Sequence, residues 1–386
     1  MRIALFDYKV ISSNPIGSCH LQMVKALCGE HDFTVFAVEF ENPHPGRIRW
    51  VKIPSPTRPL ALMFIGFHIL APYNYLIHCQ KNSKGFDLVQ FGECNLAFGD
   101  VAYVHFCHRS YLRRHWKYSY AGGLRKHFRW LDHQFHALGE PWVYRRVHRI
   151  VVPSEGLARE LQNEYPYTRP KLHVLPNPVD TDRMKRSDGF DREGMRRRMG
   201  IVEADLALIF VALGHFERKG LPMLLEALAA IDDPGIKLVV VGGEPDTVSS
   251  YEKRTREMGL SNQVTFAGMQ REIQSFLWAA DAMVLPSFYE AFPLAVLEAA
   301  AAGLPLILTP LSGLEDFVRD GENSILVHRS IEGLEVGIRR FLELTPETRQ
   351  HMGKKLQQET SRYSLRNFIL AWREFYRQFG ESRCLH

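Results

Sequence analysis

The sequence predicts an α/β protein built as two doubly wound, Rossmann-like halves, and three observations lead there. Short runs of β-branched and aromatic residues alternate with segments of helical periodicity, the pattern of βαβ units whose parallel sheets are covered on both faces. The chain has 386 residues, more than one hydrophobic core usually serves. Between Asp180 and Gly200 it turns densely charged and loses its apolar periodicity, and a second series of strand-like runs follows. With 46% hydrophobic and 24% charged residues it has the composition of a packed body, which excludes a disordered or collagen-like chain.

In the first half the expected strands are Arg2 to Ile11, Phe33 to Phe40, Ile48 to Ile53, Leu88 to Phe91, Val101 to Phe106, Ile150 to Pro153 and Leu172 to Leu175. The first opens into Asn14-Pro-Ile-Gly-Ser18, a turn whose Gly17 lets backbone approach a ligand, ahead of a helix expected near His20. The longest apolar stretch, Leu60 to Ile77, is interrupted by His68, Pro72 and Asn74. It is therefore expected to fall short of the roughly 20 apolar residues of a spanning helix. In the second half the strands are Leu206 to Leu213, Lys237 to Gly242, Val264 to Gly268, Ala282 to Pro286, Leu304 to Leu308 and Ser324 to Val327. Ser364 to Phe379 reads as an amphipathic helix through Phe368, Ile369, Trp372, Phe375 and Tyr376. The expected division is a domain over 1–182, a second over 183–360, and a C-terminal helical segment over 361–386. Two such halves leave a cleft, and ligands in open α/β sheets sit beyond the carboxyl ends of the strands.

Charge is unevenly spread. The net charge is +5, yet residues 101–150 alone carry ten Lys and Arg against Asp132 and Glu140. That segment is interleaved with Tyr111, Trp116, Tyr118, Tyr120, Phe128 and Trp130, and suits an anionic lipid surface, a phosphorylated substrate or nucleic acid; a solvated helix face is the plainer alternative. No nucleic-acid recognition motif accompanies it, so no nucleic acid is expected as partner. The six cysteines, Cys384 among them, follow no repeated spacing, and Met1 runs directly into a strand. Reduced thiols, a cytoplasmic location and no leader segment are expected.

The densest chemistry lies in Phe288-Tyr-Glu-Ala-Phe-Pro-Leu-Ala-Val-Leu-Glu298, after a strand. Glu290 falls in a loop and Glu298 about two turns into an Ala-rich helix. Backbone N–H groups from Ala291, Phe292 and Leu294, around Pro293, sit where a helix N-terminus favours an anion. A carboxylate cannot cradle phosphate but accepts hydroxyl hydrogen bonds, so the two glutamates suit the vicinal diols of a sugar or ribose. Plain alternatives are a dipole-stabilised helix-start Glu and a solvated mid-helix Glu. Arg218-Lys-Gly220, taken alone, is equally a loop leading into a helix.

The spacing of Glu290 and Glu298, with seven residues between them, resembles the signature of the family 4 retaining glycosyltransferases. So do Val151-Val-Pro-Ser-Glu-Gly156, Val174-Leu-Pro-Asn-Pro-Val-Asp180, Arg218-Lys-Gly220, Val264-Thr-Phe-Ala-Gly268 and Gly313-Leu-Glu-Asp-Phe-Val318, in the family's order. The resemblance is strong over residues 149–330. In the first 148 residues it rests on Asn14-Pro-Ile-Gly-Ser18 and Val104-His-Phe-Cys-His108. It implies the GT-B fold, two Rossmann-like domains facing a central cleft with the C-terminal helix crossing back to the first domain, and domain closure about hinges near residues 180 and 360.

The resemblance also implies roles. Glu298 would bind the donor ribose hydroxyls and Glu290 those of the transferred sugar, with backbone of residues 291–294 holding sugar and phosphate. Arg218 and Lys219 match the basic pair that neutralises the diphosphate. Gly17 matches the loop facing donor phosphate and acceptor. His105 matches a histidine beside the donor sugar, with His108 as its competitor. Relatives often carry Gly-Arg upstream of Lys-Gly; this chain has Gly214-His215 and a shorter spacer, so a second phosphate arginine is missing unless His215 substitutes.

The reaction implied is sugar transfer from a nucleotide-sugar donor, UDP-sugar first and GDP-mannose next, to a glycan or lipid-linked acceptor, with retention by front-face attack. Other readings are a further enzyme on this scaffold, such as an epimerase or phosphorylase, and a basic nucleic-acid or lipid-binding protein without transferase activity. The phosphorylase cofactor lysine context is not seen. No cofactor and no metal are expected. Asp180-Thr-Asp182 imitates a metal signature but sits in a loop that suits a cap, and Cys94, His105, Cys107 and His108 lack a regular zinc spacing. The basic first-domain segment and the apolar stretch beside it point to peripheral contact with an anionic membrane.

Overall fold

A computed structural model of the chain describes residues 1–56, 60–82, 85–118 and 123–384, without the side chains of 60, 61, 123–125 and 384. Tyr120 and Arg125, counted above in the basic-aromatic segment, and the Cys384 side chain lie outside the description. Two compact units result. The first comprises Met1–Trp116, Gly122–Pro178 and Leu365–His386; the second comprises Lys117–Ala121 and Val179–Ser364.

The first unit is a seven-stranded parallel sheet of β1 (Arg2–Phe6), β2 (Asp32–Ala37), β3 (Arg49–Lys52), β4 (Leu88–Gly92), β5 (Val101–Tyr103), β6 (Arg149–Val152) and β7 (Leu172–Val174), in the order β3-β2-β1-β4-β5-β6-β7. Order reverses at β1 and β4, the switch point of a doubly wound sheet. Ile3 to Phe6 and Val101 to Tyr103 are wholly buried, as continuous apolar runs in a two-sided parallel sheet must be. The Arg2 to Ile11 run is not one strand. Asp7 ends it by taking the Tyr8 N–H at 2.8 Å and the His20 ring at 2.8 Å, and Lys9–Val10 then pairs with Glu39–Phe40 in a separate ladder.

Helix α1 (Pro15–Leu27) begins earlier than expected, because Asn14 caps it by accepting the Gly17 N–H at 2.7 Å and Pro15 suits a first turn. Gly17 is thus inside the helix. A Cβ there would lie 1.8 Å from the Lys9 carbonyl oxygen, so the close approach it permits is to the chain's own backbone.

Helix α2 (Leu60–Lys81) corrects a second expectation: it runs unbroken through Pro72. By length and composition alone, Leu62–Lys81 is long and apolar enough to cross a membrane. One face, with Met63, Phe67 and Ala71, is nevertheless buried inside the unit. Helices α3 (His108–Arg114), α4 (Gly123–Arg146) and α5 (Glu155–Glu164) follow. Glu140 of α4 holds α3, accepting the backbone N–H of His108 at 2.6 Å and of Arg109 at 3.2 Å, together with the Tyr165 hydroxyl at 2.6 Å.

The second unit is a six-stranded parallel sheet of β8 (Leu206–Val211), β9 (Ile236–Val241), β10 (Val264–Gly268), β11 (Ala282–Leu285), β12 (Leu306–Leu308) and β13 (Ser324–Leu326), ordered β10-β9-β8-β11-β12-β13. Its switch point lies between β8 and β11. Helices α6 (Leu221–Ile231), α7 (Leu294–Ala301) and α8 (Ile331–Leu342) are among those that cover it. Asp180 caps a short helix, Thr181–Met184, by accepting the Arg183 N–H at 3.0 Å. The C-terminal helix α9 (Leu365–Cys384) belongs to the first unit, where Phe368, Trp372, Phe375, Tyr376 and Phe379 enter the core.

Candidate active site

In the second unit the residues singled out converge on the carboxyl edge of the sheet. Gly220 shapes the loop after β8: its φ of +83° favours glycine, and a Cβ would meet the Pro286 carbonyl oxygen at 2.2 Å. Arg218 and Lys219 are thereby pressed onto the loop after β11. The Arg218 carbonyl accepts the Phe288 N–H at 2.8 Å, and the Lys219 ammonium lies 2.6 Å from Glu290 Oε1. The Ser287 hydroxyl donates to the same carboxylate oxygen at 2.9 Å. Burial pushes the Glu290 carboxyl up, but Lys219, Arg218 and Ser287 outweigh it, and its pKa lies below the ordinary value. Glu290 is a fixed anion.

Helix α7 starts at Leu294, one residue past Pro293, with no side chain capping its first turn. That leaves an anion-favouring N-terminus beside the basic pair. Glu298 is one turn into the helix rather than two. Burial raises its pKa to about 7, only partly offset by Arg183. A carboxyl in that state gains most from hydroxyl donors that stabilise its ionised form. His215 is exposed and held at φ +57°, a backbone region non-glycine residues rarely adopt, while its carbonyl accepts the Lys219 N–H at 3.0 Å.

This raised pKa carries a stability consequence with a definite sign. The folded state holds a proton on Glu298 up to about pH 7, whereas the unfolded carboxyl releases it near its ordinary 4.5. Stability from this group is therefore complete below that lower value and is lost as pH rises through 7, by up to about 3 kcal/mol. Glu298→Gln is expected to raise the melting temperature relative to wild type at pH 8 and to raise it far less at pH 5. An equal difference at both pH values would contradict the assignment.

In the first unit, His105 follows β5 with its ring enclosed. Asn177 Oδ1 accepts from the Tyr103 hydroxyl at 2.6 Å and pairs with His105 Nε2 at 3.2 Å, which assigns the ring proton to Nε2. His105 Nδ1 has no hydrogen-bond partner among the described residues and lies 4.0 Å from Glu93 Oε1. Burial lowers the His105 pKa to about 3, so the ring is neutral and Nδ1 is an acceptor. His108 instead sits in the first turn of α3, its Nδ1 3.0 Å from that of His133 and its ring stacked on His136 at 4.5 Å. Its surroundings are those of a packing residue.

Sequence reasoning passed over Asn177 and Ser287. Asn177 stood inside the Pro-Asn-Pro stretch already quoted, so its place in a motif was a usable signal; Ser287, next to the strand-ending Pro286, gave none.

The family described as "Glycosyltransferase Family 4" matches residues 18–183, and the one described as "Glycosyl transferases group 1" matches residues 191–359. Among curated relatives, a D-inositol 3-phosphate glycosyltransferase of Geodermatophilus obscurus is 32% identical over 203 residues, 49% of this chain and 44% of that protein. The lipopolysaccharide core biosynthesis glycosyltransferase LpsE of Rhizobium meliloti is 36% identical over 185 residues, 48% of this chain and 50% of that one. The chain thus spans about half the length of these relatives. Among solved structures, Anabaena HepE in complex with UDP and glucose superposes with a TM-score of 0.73 at 17% identity, over 97% of this chain and 99% of that one. Both parallel sheets, the two consecutive family matches and the glutamate pair after β11 agree: the chain belongs to the family 4 glycosyltransferases of GT-B fold.

Proposed function

We propose that this protein is a retaining glycosyltransferase that moves a sugar from a nucleotide diphosphate donor, a UDP-sugar in first place, to a lipid-linked or lipopolysaccharide-type acceptor at the cytoplasmic face of a membrane. The observation that carries the donor half is the convergence of Arg218, Lys219, Glu290 and the uncapped start of α7 on one edge of one sheet. The cations and the helix start suit a diphosphate, and the carboxylates suit sugar and ribose hydroxyls. HepE, with the same fold, binds UDP, which supports UDP as the first candidate. Glu290 is engaged by Lys219 and Ser287, so it suits hydroxyl binding better than covalent attack. The resemblance then implies front-face displacement: the bond to the diphosphate oxygen breaks as the acceptor oxygen attacks, and the leaving phosphate takes its proton.

The test is thermal melting with UDP, GDP, ADP and CMP on wild type, Glu298→Ala and Arg218→Ala. At a hundred times Kd a ligand adds about 2.7 kcal/mol, enough for a rise of several degrees. The expected result is a rise with one diphosphate, lost in both variants. No rise with any of the four overturns the donor reading.

The acceptor half rests on α2 and α4. They touch through Phe64 with His136 at 5.0 Å and His68 with Phe135 at 5.5 Å between ring centroids. Their outer faces leave Leu62, Ile65, Ile69, Phe128, Leu131 and Leu138 exposed, with Ile69 at 65% and Leu138 at 76%. Exposed apolar side chains on two touching helices, with Lys126 and Arg129 on α4 itself, suit an anionic lipid surface. Free thiols at Cys19, Cys28, Cys79, Cys94 and Cys107 support a reducing compartment. The protein is expected to sediment with phosphatidylglycerol vesicles at low salt, and Ile69→Glu with Leu138→Glu is expected to abolish this. Absence of retention by the wild type refutes the membrane reading.

A further inference from the structure

We infer that Arg329, which no motif in the chain marks, is a third cation of the diphosphate site; this rests on the donor reading above. It leaves the same carboxyl edge as Arg218 and Glu290, three residues beyond the end of β13. Its backbone is fixed on both sides. Before it, the Val327 N–H bonds the Leu308 carbonyl at 2.8 Å, and after it Ser330 caps α8 by accepting the Gly333 N–H at 2.9 Å. The guanidinium lies 5.4 Å from the ring centroid of Phe288, the residue whose N–H is held by Arg218. The Arg329 side chain is therefore carried across the edge to the loop that bears Glu290.

Charge balance says what it waits for. Lys219 and Glu290 neutralise one another. Arg218 and Arg329 remain, each with a buried Nε that has no hydrogen-bond partner among the described residues. Burial lowers the Arg329 pKa, the mark of a partly desolvated cation without a compensating carboxylate. Two partly buried guanidiniums at one sheet edge, with the loop from Phe288 leading into the start of α7, are unfavourable until an anion arrives. A diphosphate satisfies all three, and Arg329 supplies from the β13 side a cation beyond Arg218 and Lys219.

The test is calorimetric titration of wild type, Arg329→Gln and Arg329→Lys with UDP and with inorganic pyrophosphate, together with ligand-free melting. Arg329→Gln is expected to weaken both ligands about 10- to 100-fold, as for a lost charge-assisted bond, without lowering the ligand-free melting temperature. A residue that only packs on Phe288 gives the reverse, a lowered melting temperature and unchanged affinity. Affinities within about twofold of wild type overturn the inference. Should Arg329→Gln not fold, Arg329→Lys carries the test: it keeps charge but loses the planar fork, with an expected loss of about tenfold, and equal affinity overturns the inference. If wild type binds UDP, GDP, ADP and pyrophosphate not at all, the donor reading fails and this inference with it.

Discussion

Lys219→Ala is expected to lower stability by about 3 kcal/mol, a drop in melting temperature of roughly 6 to 12 °C, and to reduce donor affinity and turnover by at least about tenfold. The two losses have different origins. Glu290 is buried, and its charge is balanced chiefly by the Lys219 ammonium at 2.6 Å. Removing the ammonium leaves a carboxylate that must stay charged without its partner or take up a proton. In the free enzyme Lys219 is occupied by Glu290, so an arriving diphosphate shares an ammonium already in place. The double variant Lys219→Ala, Glu290→Gln separates these contributions. It removes the unpaired charge while the Ser287 hydroxyl can still donate to the amide oxygen, so most of the stability returns. Turnover does not return, because both proposed ligand contacts are gone. A double variant no more stable than Lys219→Ala would show that the pairing was not the source of the loss.

Trp372→Ala is expected to cost about 3 to 5 kcal/mol and to loosen the C-terminal helix, as a marked rise in amide exchange over 365–384 would show. Trp372 is fully buried, in edge contact with Tyr103 at 5.1 Å and Phe375 at 5.4 Å between ring centroids. Its indole Nε1 has no hydrogen-bond partner among the described residues. Trp372→Phe therefore removes a buried unsatisfied donor along with some volume, and its expected cost is below about 1.5 kcal/mol. Similar costs for the two substitutions would indicate that the site collapses around any side chain. Beside Trp372, Tyr376 donates to Gln90 Oε1 at 2.8 Å, and Gln90 pairs in turn with His20, so helix α9 is also registered by polar contacts.

The sequence by itself determined the α/β class, the strand series on both sides of the charged break near residue 190, and the amphipathic C-terminal segment. Each depends on local periodicity, which is written in consecutive residues. It also marked Glu290, Glu298 and Arg218 with Lys219, because a ligand-binding loop after a strand keeps its chemistry in a short contiguous stretch. Tertiary structure decided the rest. That Lys219 neutralises Glu290 is a contact between residues 71 positions apart, made possible by β8 and β11 lying side by side. Asn177 orients His105 from the far end of two further strands. Pro72 does not break α2, since the packing of Met63, Phe67 and Ala71 outweighs one missing hydrogen bond. Arg329 carries no local signal at all. Its place beside Phe288 follows only from the order of three parallel strands, β11, β12 and β13, and strand order is set by non-local packing that no window of sequence records.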